Sequence, residues 1–321
     1  AASSDYPLRD VYKRQALFIG VTIFDMQKSF ADEQIFGYVQ GAEVIPQGGK
    51  QIYQWMTYRK ARSQGNFSAL EYRTELEYGL TNKLQGSLYL NGRSFRTRQS
   101  SPMIEDDNGN LSPYYEDRND RIRMDGVSTA FKYMALSPFK KNKLGNIGLA
   151  FYIEPGYSRV FNVTGENVNS GYLETRVIIQ KNFLDERLVT ALNIDNTFVK
   201  RQFISSDNSW NNDYELNIMA GVSYLIRQNW YVGLETRYHS EYPQTQNVDS
   251  GSTFPRYGFR QQYVHYIGPN IHYGAKRWWW TLTWLTQMYG DATNNDRADS
   301  RLYLVDHEKH EIRFKVSYNI F

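Results

Sequence analysis

The chain of 321 residues contains no cysteine. Disulfide scaffolds, thiolate metal sites and cysteine nucleophiles are excluded, while an oxidising envelope compartment without disulfides stays compatible. No run of about 18 apolar residues exists, so a helical membrane span is excluded. Leu- and Ala-rich stretches with helical periodicity are also missing, and with them the usual pattern of a soluble enzyme of this size. Net charge is only +3, from 37 basic and 34 acidic residues of mixed order. There is no basic stripe, so nucleic acid is not expected as a partner. Nor is there a phosphate-cradling glycine loop or a nucleophile elbow.

What the chain does have is aromatic residues: 16% of the total, with 26 Tyr and 7 Trp, in a sequence whose mean hydropathy is negative. Both facts fit a chain in which alternate residues meet an apolar phase. Side chains of a strand point to opposite faces in turn. At the end of the chain, Ile312, Phe314, Val316, Tyr318 and Ile320 take one face, and Glu311, Arg313, Lys315, Ser317 and Asn319 take the other. Leu70, Tyr72, Thr74, Leu76 and Tyr78 alternate in the same way with Glu71, Arg73, Glu75 and Glu77. So do Leu149, Phe151 and Ile153 with Ala150, Tyr152 and Glu154, and Trp278, Trp280, Leu282 and Trp284 with Trp279, Thr281, Thr283 and Leu285.

Period-two runs separated by turn signals predict strands near 51–62, 67–80, 84–98, 122–138, 145–160, 171–183, 187–203, 212–227, 229–242, 261–275, 277–290 and 309–321. The connections alternate in length. Thr81–Lys83, Leu184–Glu186 and Ala275–Arg277 are short. The intervening gaps 99–121, 161–170, 204–211, 243–260 and 291–308 are long and rich in Asp, Asn, Ser, Gly and Pro. Short turns at one end and long loops at the other are the asymmetry of a transmembrane barrel. The expected fold is therefore all-β: an antiparallel, up-and-down transmembrane β-barrel of about 12 strands over residues 51–321, in contact with a lipid bilayer.

The end of the chain resembles the C-terminal signature of bacterial outer-membrane β-barrels, in which a terminal aromatic closes the last strand. Phe321 departs from it by falling out of phase with Tyr318, Val316 and Phe314. Gly41–Lys50, Tyr53-Gln54-Trp55 and Glu75–Gln85, with its Tyr-Gly-Leu-Thr-x-x-Leu turn, resemble the opening of uncharacterised, porin-like proteobacterial outer-membrane barrels. The resemblance implies a bacterial outer-membrane location and carries no known activity. Before it, Ser4–Gln15 resembles a translated sequencing adaptor, which sets residues 1–15 aside. Ala16–Phe24 with Ser29-Phe30-Ala31 reads as a truncated signal peptide over 16–31. Residues 32–50 are expected as a periplasmic lead-in.

Chemistry is sparse. A hydrolase barrel would place a His and a Ser on one face, but His239 and Ser240 are adjacent and point apart. Asp306-His307-Glu308-Lys309-His310-Glu311 is the densest ionisable cluster, yet only His307 and His310 lie close together in sequence as metal donors. His265 and His272 fall on opposite faces. Asp106–Asn110 resembles part of a calcium loop without its bidentate Glu. No catalytic residue, metal or cofactor is expected, although His239, Asp306 and His307 would be the participants if a rim enzyme existed.

The inward charges remain: Glu71, Glu75, Glu77, Lys132, Glu154, Glu174, Asp195, Glu215 and Glu235, with Arg73, Arg176, Arg237, Arg313 and Lys315. In so confined a space they must be paired or hydrated. They suit a narrow channel or passive transporter for small solutes, in which rings of charge set selectivity. A closed barrel with a salt-bridged core, or one acting through its long loops, is the alternative. Oligomeric state is not readable.

Overall fold

The structure is a computed structural model and describes residues 34–62, 66–98, 103–105, 111–113, 117–139, 144–204, 210–244, 257–293 and 301–320. The segments expected as adaptor (1–15) and signal peptide (16–31), Asp106–Asn110 and Phe321 lie outside the described residues. Twelve long strands form one antiparallel sheet: β1 Lys50–Lys60, β2 Asn66–Gly79, β3 Leu84–Arg98, β4 Arg123–Leu136, β5 Ile147–Val160, β6 Asn167–Phe183, β7 Leu188–Phe203, β8 Trp210–Arg227, β9 Trp230–Pro243, β10 Gln262–Gly274, β11 Trp278–Ala292 and β12 His310–Asn319. Each pairs with its neighbours in sequence. The last strand returns to the first, Trp55 opposite Lys315 and Tyr53 opposite Ser317, and closes the barrel. Closure removes the free edges a flat sheet would expose.

The strand ends lie within a few residues of those read from the pattern. The largest difference is β6, which begins at Asn167 instead of 171. Its extra residues, Asn167-Val168-Asn169-Ser170, are polar and alternate weakly, so they read as loop, yet they continue the ladder beyond the apolar belt. The 99–121 gap also carries short strands, Met103–Glu105 paired with Leu111–Pro113, and Arg118–Asn119 paired with β3. The turn at Leu184-Asp185-Glu186 is made by three consecutive residues at positive φ. This conformation costs L-residues about 1–2 kcal/mol each, and the tight reversal between β6 and β7 requires it.

The two faces divide as the alternation predicts. Leu76, Leu88, Leu90, Phe131, Phe151 and Trp284 stand on the outside with large apolar surface exposed. Trp279, Thr281, Thr283 and Leu285 are fully buried on the inside. An exposed apolar surface of this extent marks an interaction surface, and in a closed barrel the bilayer fits it.

The lead-in does not stay outside. Gln34–Ile45 runs within the barrel, where Val39 and Ala42 have no exposed surface at all, and Pro46–Gly48 emerge as exposed residues before β1. Phe36, Tyr38 and Val39 pack against Val189, Ala191, Met219, Tyr266 and Leu285 of the inner wall. Gly221 makes room for this, since a Cβ there would lie 2.7 Å from the Phe36 ring.

The faces give a direct test. Leu88→Arg or Leu282→Arg places a charge on the outer belt and is expected to cost roughly 2–4 kcal/mol near the bilayer midplane. Thr197→Arg, on the inner wall beside a cavity, is expected to cost far less. Unfolding by urea in lipid vesicles measures the difference, and equal effects would show the faces to be misassigned.

Candidate functional site

The site is the lumen, and it is built in two layers. Along the end that carries the short turns lies the N-terminal segment. Glu235, on the inner face of β9, accepts backbone hydrogen bonds from Gly37 (2.8 Å), Tyr38 (2.7 Å) and Val39 (3.1 Å), and a fourth from the Thr283 hydroxyl (2.7 Å). Further along, Asn193 accepts from Gln40 N–H and returns a bond to its carbonyl, Gln180 accepts from Ala42 N–H, and Gln85 accepts from Ile45 N–H. Lys315 donates to Gln34 Oε1 and to the Phe36 carbonyl, and its ammonium lies 4.1 Å from the Trp55 ring centroid. Among the described residues Gln34–Ile45 pairs with no strand, so inward polar side chains of the wall satisfy its backbone groups one by one, while Gly48 and Gly49 bond to Gly79 at the end of β2.

Towards the end that carries the long loops the lumen holds ion pairs. Arg59 joins Glu71 (3.2 Å), Glu311 (3.2 Å) and Glu308, and Arg93 joins Glu71 (3.4 Å) and Asp125 (2.7 Å). Arg73 meets Glu154 at 2.6 Å, and Arg176 meets Glu174 (2.7 Å) and Asp195 (2.8 Å). Arg237 joins Glu311. The guanidinium of Arg73 lies 3.7 Å from the Tyr89 ring centroid, and that of Arg313 lies 3.9 Å from Tyr38. Stacking of this kind strengthens as water is removed. Between these groups and the segment lies a cavity of about 290 Å³, its wall including Glu71, Glu174, Thr197, Glu215 and Asn217.

The fourteen inward candidates therefore separate by role. Glu71, Arg73, Glu154, Glu174, Arg176, Asp195, Glu215, Arg237 and Arg313 border the cavity. Glu235, Lys315 and Lys132, the last through the Gly41 carbonyl, hold the segment. Glu77 accepts from Gln85, and Glu75 is buried beneath the segment's end of the lumen. The lumen candidates read from the sequence did not include Arg59, Arg93, Asp125, Glu308 or Glu311, although Glu308 and Glu311 belong to the ionisable cluster and Glu311 to the polar face of the last strand. Nor did they include the segment, for which residue pattern offers no signal.

The histidines divide sharply. His265 faces outward and meets Thr236, while His272 faces inward and meets Thr281. His239 and Ser240 point to opposite faces, both covered. At the loop end, His307 packs on His239 with ring centroids 5.3 Å apart, across 68 positions of chain. The expected neighbours His307 and His310 are separated instead, because His310 stands on the outer face beside Trp284. Burial, with His239 beside it, lowers the His307 imidazole to about 3, so it is neutral.

A closed antiparallel barrel with an apolar exterior and an ionised lumen has the fold of porin-like outer-membrane proteins. Residues 28–320 match the model of a family of unknown function, DUF6662, and the chain belongs to that family. No curated protein matches the chain. Among solved structures, the COG4313 outer membrane channel from Pseudomonas putida F1 is similar at 10% identity and a TM-score of 0.55, covering 87% of this chain and 98% of that one. The NanC porin is similar at 12% identity and a TM-score of 0.41, covering 83% of this chain and 98% of that one.

Removing one member of a buried pair leaves a charge without compensation and costs about 3–5 kcal/mol. Glu154 also accepts from Ser128, Tyr152 and Tyr172, so it is held in place whether or not Arg73 is present. Arg73→Met is expected to destabilise the barrel by that amount, and Arg73→Met with Glu154→Gln by less. Denaturant unfolding of the single and double variants measures the difference.

Proposed function

We propose that the protein is a narrow channel for small polar solutes in a bacterial outer membrane, closed at its periplasmic end by its own N-terminal segment. The observation that carries this reading is a cavity of about 290 Å³, walled by carboxyl and guanidinium side chains and lying directly beyond that segment. A closed structural core would have its inner wall filled throughout. Here the charged wall faces open space, with six carboxylates (Glu71, Asp125, Glu154, Glu174, Asp195, Glu215) and five arginines (Arg73, Arg93, Arg176, Arg237, Arg313) around it. Fields from near-equal numbers of both signs largely offset, so selectivity between cations and anions is weak. Similarity to a solved outer-membrane channel over nearly the whole chain is consistent with the reading.

The segment is held by its backbone to a few wall side chains, with Glu235 taking three consecutive N–H groups. It can be released without breaking any strand pair. In planar bilayers, wild type is expected to show small or intermittent conductance. Deletion of residues 34–44 should raise single-channel conductance several-fold, and Glu235→Ala should raise the open fraction. Glu174→Gln in the deletion variant should move the reversal potential toward anions in a salt gradient. Silence of both wild type and the deletion variant, with folding verified by gel migration of unheated samples, would show a closed ion-paired core.

A further inference from the structure

We propose that His239, Glu241 and His307 form a binding site for a divalent transition-metal ion at the loop end of the lumen. His239 and Glu241 are two residues apart on β9, so both side chains point inward. The connection between β11 and β12 then brings His307 over them, and one donor atom from each of the three lies within 4.8 Å of the others. Two imidazoles and a carboxylate make up a donor set that binds zinc and its neighbours in the first transition row.

One buried imidazole nitrogen at this place has no hydrogen-bond partner among the described residues. The Nδ1 of His239 is 3.0 Å from Asn217 Oδ1, and its Nε2 is 3.0 Å from Glu241 Oε1. The Asn217 amide offers His239 Nδ1 either its oxygen or its NH2, and in one tautomer Nε2 keeps a lone pair on the Glu241 side. His307 is over nine-tenths buried, and its Nε2 has no hydrogen-bond partner among the described residues. A metal shared among the three groups takes up the two imidazole lone pairs together with a Glu241 oxygen.

The surroundings support the same reading. Glu215 stands directly opposite Glu241 in the β8–β9 register and forms no ion pair among the described residues. Like charges directly opposite on adjacent strands repel, and a cation between them removes the repulsion. Asn217 orients His239, and Gln262 donates to the other oxygen of Glu241. Outer partners of this kind fix the direction in which ligands point. Tetrahedral bonds of about 2.0–2.1 Å place donor atoms roughly 3.3 Å apart, so ligation asks for a contraction of between one and two ångströms, within the reach of side-chain rotation.

The test uses the untagged full chain folded in detergent and the metal alone as probe. Titration with Zn²⁺ followed by calorimetry is expected to show one ion per chain, with Ca²⁺ unable to displace it, because calcium prefers oxygen ligands. His307→Ala and His239→Ala should each weaken binding at least ten-fold, and His310→Ala should leave it unchanged. Co²⁺ in place of Zn²⁺ should give the visible absorption of a four-coordinate site, lost in His307→Ala. Gel migration of unheated samples shows whether each variant is folded. Absence of Zn²⁺ binding by folded wild type, or equal affinity in folded wild type and His307→Ala, would overturn the proposal.

Discussion

A charge inside a barrel of this width has no bulk water to turn to, and the arrangement of the lumen follows from that constraint. Desolvating a carboxylate or guanidinium costs several kcal/mol unless a partner of opposite sign or a set of donors replaces the water. The protein meets the demand in two ways. Toward the loop end, arginines and carboxylates of different strands interlock, so that Arg59 alone joins β1 to β2, to β12 and to the loop before it. Toward the turn end, Glu235 forms no ion pair among the described residues. It is solvated by three backbone N–H groups of the N-terminal segment. That one carboxylate links the wall to the position of the N-terminal segment.

Strand number makes such a piece necessary. About eight strands enclose a space that side chains fill, and about sixteen enclose an open aqueous channel. Twelve lie between, so the wall's own side chains cannot fill the lumen and cannot leave it wide. Gln34–Ile45 occupies part of the difference, packing Phe36 over Gly221 and Val39 against the wall, and the remainder is the cavity lined by carboxylates and arginines. The division of the lumen into an occluded half and a charged, open half is the structural basis of the channel reading.

The architecture was legible because it is written with period two. Alternation of Trp278, Trp280, Leu282 and Trp284 with Trp279, Thr281, Thr283 and Leu285 assigns inside and outside without knowledge of any partner strand. Boundaries went astray only where alternation fades, as in the polar start of β6. The lumen's content was a different matter. Gln34–Gly49 carries no periodicity, because its backbone bonds go to side chains scattered over β3, β6, β7 and β9. An inward Glu that grips a segment looks the same in sequence as one that faces water, so nothing distinguished Glu235 from Glu174. The meeting of His239 with His307 depends on how a long loop folds back, and sequence proximity pointed instead to His310, which strand alternation carries to the outer face.

The absence of cysteine makes the central claim open to a clean measurement. A Cβ on Gly148 would lie 3.0 Å from the Cβ of Ala42, near the separation of about 3.5–4.5 Å that a disulfide takes. It would also lie 2.8 Å from the Cβ of Pro138, so Pro138→Gly is combined with the two cysteines to make room. Conductance of the Ala42→Cys, Gly148→Cys, Pro138→Gly variant should be recorded in a planar bilayer under oxidising conditions and again after reduction. If the N-terminal segment closes the lumen, the oxidised channel is locked shut and reduction restores the intermittent opening of wild type. Identical conductance in the two states, with the disulfide verified on a gel, would contradict the account.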